Sequence, residues 1–448
     1  MALNLTEGSV WKILIRFSLP FFLSYFLQTL YGLADLFIVG LYNGADITTA
    51  VSVGSQIMHM ITVIVVGLAM GCTVLISQAV GARQMKRVSH TIGNTITLFL
   101  GISIAMSVLL IALLHPIMQV MSVPPESLAQ TQAYLTICFL GIPVITAYNI
   151  LSAVFRGLGD SKTPMYFVAA ACAINILLDY VLIGVFQMQA IGAALATVFA
   201  QTCSVIFACV VIARKDMGIH LSVRHLVPEK KLVGSMLQIG FPVALQDGLV
   251  QVSFLVITVI ANMRGVEIAA AVGIVEKIIS ILFLVPSSML SAVSAISAQN
   301  IGAGLHRRAL DTLKYSIMIT VGFGFVISVI IQFISEPVVG LFTRDTAVIV
   351  YGGQYLRSYA SDCMFAGIHF CFSGYFCAYE KSIFSFIHNI ASILLVRIPG
   401  AYLASIWFPD TLFPMGIAAP AGSALSALIC VGIYWKVFRQ GRRICRKE

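Results

Sequence analysis

The chain is expected to be an all-α polytopic membrane protein, with twelve transmembrane helices in two pseudo-symmetric six-helix bundles. Three observations predict this: an apolar composition, apolar runs of spanning length along the whole chain, and a first half that recurs in the second. Of the 448 residues, 59% are hydrophobic and only 10% charged, against roughly 25% charged in soluble domains. A soluble fold of this size has no place to hide so much apolar side chain, so its surface must face lipid. Runs of about 20 apolar residues, enough for a hydrocarbon core of about 30 Å, supply the spans.

The opening segment "MALNLTEGSVWKILIRF" lacks the short apolar core and small-residue cleavage site of a signal peptide, and reads as a cytoplasmic lead-in. Spans are then predicted near residues 13–39, 50–76, 91–114, 131–155, 164–185, 190–212, 232–262, 268–296, 311–334, 349–378, 383–407 and 415–436. Basic residues orient them. Lys12 and Arg16 precede the first span, and Arg83, Lys86 and Arg87 follow the second. Arg156 and Lys162 follow the fourth; Arg214, Lys215, Arg224, Lys230 and Lys231 follow the sixth. Arg307, Arg308 and Lys314 follow the eighth, Lys381 the tenth, and "KVFRQGRRICRKE" ends the chain, whereas the alternate loops hold only Arg264 and Arg344. By the positive-inside rule both termini are expected in the cytoplasm of a multi-pass cell-membrane protein. The net charge of +9 is thus a topology signal scattered over loops, and no nucleic-acid partner is expected. A polybasic tail also suits contact with anionic lipid.

Most of the ten cysteines, from Cys72 to Cys430, fall inside predicted spans without close Cys/His ligand spacing, and read as small buried residues. Cys445, in the basic tail, is open to lipidation.

The halves repeat. "SQAVGARQMKR" (77–87) matches "AQNIGAGLHRR" (298–308), pairing Gln78 with Gln299, Gly81 with Gly302, Ala82 with Ala303 and Arg87 with Arg308. The same offset pairs Ile47 with Ile268, Ala50 with Ala271, Val51 with Val272, Ser152 with Ser373 and Phe155 with Phe376. One residue of slippage brings Pro20 onto Pro242. Six spans per copy make the copies parallel, an arrangement used by transporters whose two bundles rock about a central site. The joint is the polar stretch 213–231, so lobes of 1–221 and 222–448 are expected. Pro20 and Pro242 should kink their helices.

Together, "SLPFFLSYFLQTLYGLADLFIVG", "SQAVGARQ", "VFRGLGDSKTPM" and "AQNIGAG" resemble the multidrug and toxic compound extrusion (MATE) transporters of the MOP superfamily over essentially the whole chain. Within that family the chain is similar to the DinF-like bacterial branch. The resemblance implies cation-driven antiport of small organic molecules, with an acid late in helix 1, Asn-x-x-x-Asp in helix 5 and Thr in helix 6. Those positions hold Asp35, Asn175 with Asp179, and Thr197. The NorM-like branch uses an acid in helix 7; here Gln251 stands near that place and Asp247 lies one turn away, a departure from that pattern.

Residue counting reaches the same side chains. Asp35 lies five residues before Gly40, Asp179 six before Val185, and Thr197 seven after Ala190. At about 1.5 Å per residue all three sit roughly 8–10 Å below the outer surface. Asn175 and Asp179, at i and i+4, share a helix face. A membrane-embedded acid needs a proton, a cation or a basic partner, and no Lys or Arg lies at that depth in the first half. A proton or a hard cation such as Na⁺ remains, and neighbouring carboxylates oppose each other's ionisation.

The second half places Asp247, Glu276, Lys277 and Arg397 within spans. Two acids and two bases are expected to neutralise each other, with Asp247 facing Lys277 and Glu276 facing Arg397. The other reading is that a base meets an acidic or zwitterionic substrate. Gln28, Tyr31, Asn149, Gln246 and Gln251 join these four as candidates for the substrate cavity. His369 and His388 are expected to be interfacial.

"GLGD" (157–160) has the form of an intramembrane aspartyl protease motif but lies in a basic loop, where Gly157 and Gly159 suit a tight turn. "GAGLHRR" lacks the Gly-Lys-Ser/Thr of a phosphate loop. No enzyme motif and no cofactor beyond H⁺ or Na⁺ are expected. The reading is a monomeric secondary exporter; the alternatives are a flippase of lipid-linked saccharides and, from another class, a membrane receptor or channel.

Overall fold

Hydrocarbon offers backbone N–H and C=O groups no water, so each apolar run satisfies them internally as a helix. The computed structural model describes residues 4–214 and 222–438; Lys215, Cys445 and most of the basic tail lie outside the described residues. Among the described residues there is no strand. The first half runs α1 (Val10–Tyr42), α2 (Ala45–Gly81), α3 (Met85–Ala112), α4 (Leu114–Val120), α5 (Leu128–Leu140), α6 (Ile142–Gly157), α7 (Lys162–Asp179) and α8 (Gln189–Arg214). The second runs α9 (Lys230–Asn262), α10 (Val266–Leu282), α11 (Leu284–Gly302), α12 (His306–Gly340), α13 (Thr346–Tyr359), α14 (Asp362–Ala378), α15 (Ile383–Ser392), α16 (Ile398–Trp407) and α17 (Phe413–Ile433). Wide π turns follow α7 at Tyr180–Val185 and join α15 to α16 at Ile393–Arg397.

Among the described residues ten helical segments are long and apolar enough to cross a bilayer, and the pair Pro125–Leu140 and Ile142–Gly157, bent by 51°, makes an eleventh. Two expected spans, the fourth and the tenth, are therefore not among the ten. The fourth breaks at Gly141, where Pro143 supplies no N–H to the first turn of α6 and disfavours helical geometry just before it. The tenth is built as α13 and α14, parted at Ala360–Ser361.

The chain forms two compact units. One holds Leu19–Ala244 with Gly302–Gly304; the other holds Glu7–Ser18, Leu245–Ile301 and the chain from Leu305 on. The first unit thus continues past residue 221, and α1 and α9 change unit within three residues of Pro20 and Pro242. Both prolines lie inside their helices. The first unit's core gathers Ile47, Tyr134, Leu135, Phe139 and Ala193 from α2, α5 and α8. The second gathers Val275, Tyr355, Leu356, Tyr359 and Met415 from α10, α13 and α17.

Lipid gives helices no hydrophobic drive to associate, so close packing of small residues holds them. In the first unit Gly67 and Gly71 of α2 face the opening half of α9. A Cβ on Gly67 would lie 2.7 Å from the Ala244 Cα, and one on Gly71 would overlap the Met236 carbonyl. Gly240 meets Leu68 in the same way. The chain before α9 is bonded to α3: Asn94 Nδ2 donates to the His225 carbonyl (3.3 Å), Thr97 Oγ1 to that of Leu226 (2.6 Å), and Asn94 Oδ1 accepts from Glu229 N–H (2.6 Å). The "GLGD" motif is a helix entry. Gly159 takes φ +84°, and Asp160 accepts from Thr163 N–H (3.0 Å) and its hydroxyl (2.7 Å) at the start of α7.

Gly71→Ala is therefore expected to lower the melting temperature of the detergent-solubilised chain. Gly101→Ala, where nothing lies within 4 Å of the added Cβ, is expected to be neutral or to gain up to about 1 kcal/mol from helix propensity. Equal melting temperatures would remove the α2–α9 contact from the account of stability.

Candidate functional site

Three helices of the first unit bring the polar residues together. Asp35 lies seven residues before the end of α1, Asp179 closes α7, and Thr197 lies eight residues into α8. Asp35 is 5% exposed, Asn175 2% and Asp179 0%, while Thr197 is half-buried. The carboxyls of Asp35 and Asp179 are within hydrogen-bonding reach of each other. A carboxylate only accepts, so this contact needs a proton on one of them or a cation between them. One oxygen of Asp35, both of Asp179 and both amide atoms of Asn175 have no partner in the protein. Buried polar atoms are nearly always bonded, so the cluster of exceptions sets this place apart from the bundle around it.

The helix ends that hold the pair are fitted to each other. Beyond Asp179 the chain widens into the π turn, a departure that often marks functional sites. Tyr42, at the end of α1, stacks edge-on against Tyr180 at 6.2 Å and lies over Gly184, where a Cβ would meet its ring at 3.0 Å. Deeper in the unit, Tyr31, Tyr148, Asn175, Thr197 and Gln201 line a small cavity. Tyr31 approaches Gln201, and Gln28 approaches Tyr148. Asn149, by contrast, spends its amide on the Ile145 carbonyl of its own helix (2.8 Å).

The charges of the second unit differ from expectation. Lys277 is exposed, and among the described residues no ion pair links it to Asp247, which instead accepts from Gln246 Nε2 at 3.3 Å. Adjacent positions on a helix point about 100° apart, and the face of α10 that carries Glu276 inward turns Lys277 away. Gln246 is buried and Gln251 half-buried on α9. Glu276 is an electrostatic neighbour of Arg397 but accepts weakly from Thr258 (3.5 Å) and forms no closed ion pair with it. Arg397 instead donates to the Tyr359 hydroxyl and covers the Phe254 ring at 4.6 Å. His369 and His388 are buried within the protein, with ring centroids 5.5 Å apart.

Sequence reading missed Gln201, although it follows Thr197 by four residues on one face of α8. It also missed Tyr148, and in the second unit Tyr359 and Asp362. Asp362 was legible as an acid inside an apolar run; the tyrosines carry no periodic signal that separates them from core.

Comparison with known proteins agrees with this architecture. The MatE family model matches twice, over residues 20–181 and 242–403. A relative described as "Probable multidrug resistance protein YpnP" of Bacillus subtilis is 27% identical over 93% of each chain. "Multidrug export protein MepA" of Staphylococcus aureus is 25% identical over 82% of this chain and 81% of its own. Among solved structures, a MOP superfamily transporter from Pyrococcus furiosus superposes with TM-score 0.91 at 20% identity over 98% of both chains. An outward-facing multidrug resistance MATE transporter gives 0.90 at 20% over 98% of this chain and 97% of its own. With two copies of the family domain in an integral membrane bundle, the chain belongs to the MATE family of multidrug efflux transporters.

Proposed function

We propose that the chain is a cation-coupled antiporter of the cell membrane, with both termini cytoplasmic, exporting small organic molecules as in the DinF-like branch. Asp35, Asn175, Asp179 and Thr197 form its coupling-ion site. One observation carries the reading: two buried acids on separate helices approach each other with no basic side chain acting on either. A pair of this kind changes state when one positive charge arrives or leaves, and that is the property a coupling site needs. A shared proton accounts for carboxyl-to-carboxyl contact more simply than Na⁺, which calls on several oxygens at once. Ion arrival would bias the chain between outward- and inward-open states, the substrate taking the opposite route.

Proteoliposomes loaded with the full chain test this. Under an imposed pH gradient, and separately under a Na⁺ gradient, accumulation of the organic cation dye ethidium is followed by fluorescence. The wild type is expected to concentrate the dye under the pH gradient, whereas Asp35→Asn and Asp179→Asn fall to the level of protein-free vesicles. Both variants should keep or gain thermal stability, because a buried charge goes with its desolvation cost. Wild-type accumulation in either variant would remove that residue from the coupling site.

Gly184→Leu is expected to push Tyr42 outward and separate the two carboxyls, reducing uphill transport several-fold while leaving insertion intact. Gly101→Leu, on an open face of α3, is the matched control and should transport normally.

Orientation is tested in a Cys-free background. Single cysteines at Asn43 and Glu126 should react with an impermeant maleimide in intact cells, and those at Gln84 and Lys381 only after permeabilisation. The reverse pattern would invert the topology.

A further inference from the structure

We propose that the second unit carries a proton-binding relay of its own, running from Asp362 beside Arg397 through His369 to His388 and Ser373, its ligand an exchangeable proton held with water. This stands apart from the Asp35–Asp179 reading and uses none of its residues.

Asp362 and His369, seven residues apart on α14, share one face of that helix about 10 Å apart along its axis. Asp362 is 1% exposed, His369 6% and His388 0%. The imidazoles lie 5.5 Å apart between centroids, inclined by 63°, and Ser373 Oγ meets His388 Nε2 at 3.0 Å. From Asp362 to Ser373 is eleven residues of one helix, about 16 Å, or roughly half the hydrocarbon thickness. Ser373 lies five residues before the end of α14 and His388 five residues after the start of α15. The relay therefore descends from mid-membrane toward the loop that carries Lys381.

Structural histidines in a core have both ring nitrogens bonded. Here Nδ1 of His369 and Nδ1 of His388 are buried without a partner, as are one oxygen of Asp362 and one of Glu276. Four unmatched polar atoms along one path suit bridging water, which takes two to four such partners per molecule. The charged and titratable groups facing the path are Asp247 on α9, Glu276 on α10, Tyr355 and Tyr359 on α13, Cys377 on α14, and Arg397. The fixed charge of Arg397 balances one of Asp362 and Glu276, leaving the other to hold the mobile proton. An imidazole takes a proton on one ring nitrogen and releases one from the other; each transfer forms one N–H bond and breaks one, and a turn of the ring restores the starting tautomer.

The internal repeat relates this path to the first site by sequence register. At the repeat offset of 221–222 residues, Arg397 answers to Asn175, Tyr355 to Tyr134 and His369 to Tyr148. The polar positions of one copy recur in the other with different chemistry: an acid pair in the first, a fixed cation with histidines in the second.

Infrared difference spectra of the full chain in lipid, recorded over a wide range from roughly pH 3 to pH 9 because burial moves such groups far from their free values, decide the matter. Asp35→Asn with Asp179→Asn is the background, so the first site is silent. A carboxyl band that still titrates is expected, lost on adding Asp362→Asn or Glu276→Gln. His369→Gln should remove one titrating imidazole signal, and Asp362→Asn should shift that same signal in pH, which a purely structural acid would not do. Ser373→Ala, which keeps every charge, should shift the His388 signal and serves if the larger changes fail to fold. No titrating carboxyl in the background, or imidazole signals indifferent to Asp362→Asn and Ser373→Ala, would overturn the proposal.

Discussion

The approach of the Asp35 and Asp179 carboxyls sets conditions that much of the first unit meets. Two acids within reach of each other in a low-dielectric interior repel unless a positive charge joins them, so the helices that carry them must be held against that repulsion. The C-terminal end of α1 is held by Tyr42 over Gly184 and against Tyr180. The inner part of the unit is held by glycines: α2 comes close enough to α9 that backbone meets backbone. Neither contact relies on charge, so neither is disturbed when the charge at the acids changes.

The second unit answers the same problem differently. Arg397 is stationed among Glu276 and Asp362 without closing on either, its guanidinium spent on the Tyr359 hydroxyl and the Phe254 face. An arginine so placed supplies positive potential to a neighbourhood rather than to one partner. The two copies of one domain thus carry opposite electrostatic designs on one scaffold, with cation-poor acids in the first and a resident cation in the second.

Much of the fold was legible in the sequence because lipid imposes a simple rule: apolar runs become helices, and basic loops mark one side. Asp35, Asn175, Asp179 and Thr197 were legible for a related reason, since polar residues at matching depths in greasy helices stand out. What failed was pairing. The neighbour of Lys277 depends on which way α10 is rotated, and one step along a helix turns a side chain by about 100°, finer than an assignment of span ends can fix. The burial of His369 and His388 was not legible, because distance from a span's end does not say whether a face meets solvent or protein. The break between α13 and α14 left no Pro or Gly to announce it.

The π turn after Asp179 ties position to chain length. In a π turn, residues five apart stand over one another, and Asp179 and Gly184 are five apart. At this chain length the acid and the glycine that seats Tyr42 therefore share a face only while the segment keeps its π winding. In an α-helix the same five steps would end about 140° away. A single-codon deletion between Asp179 and Gly184 would leave four α-helical steps, about 40° apart, and so keep the acid and the glycine on one face. For the lineage of this chain the graver event is a change that straightens the turn at unchanged length, because it moves the anchor out from under α1.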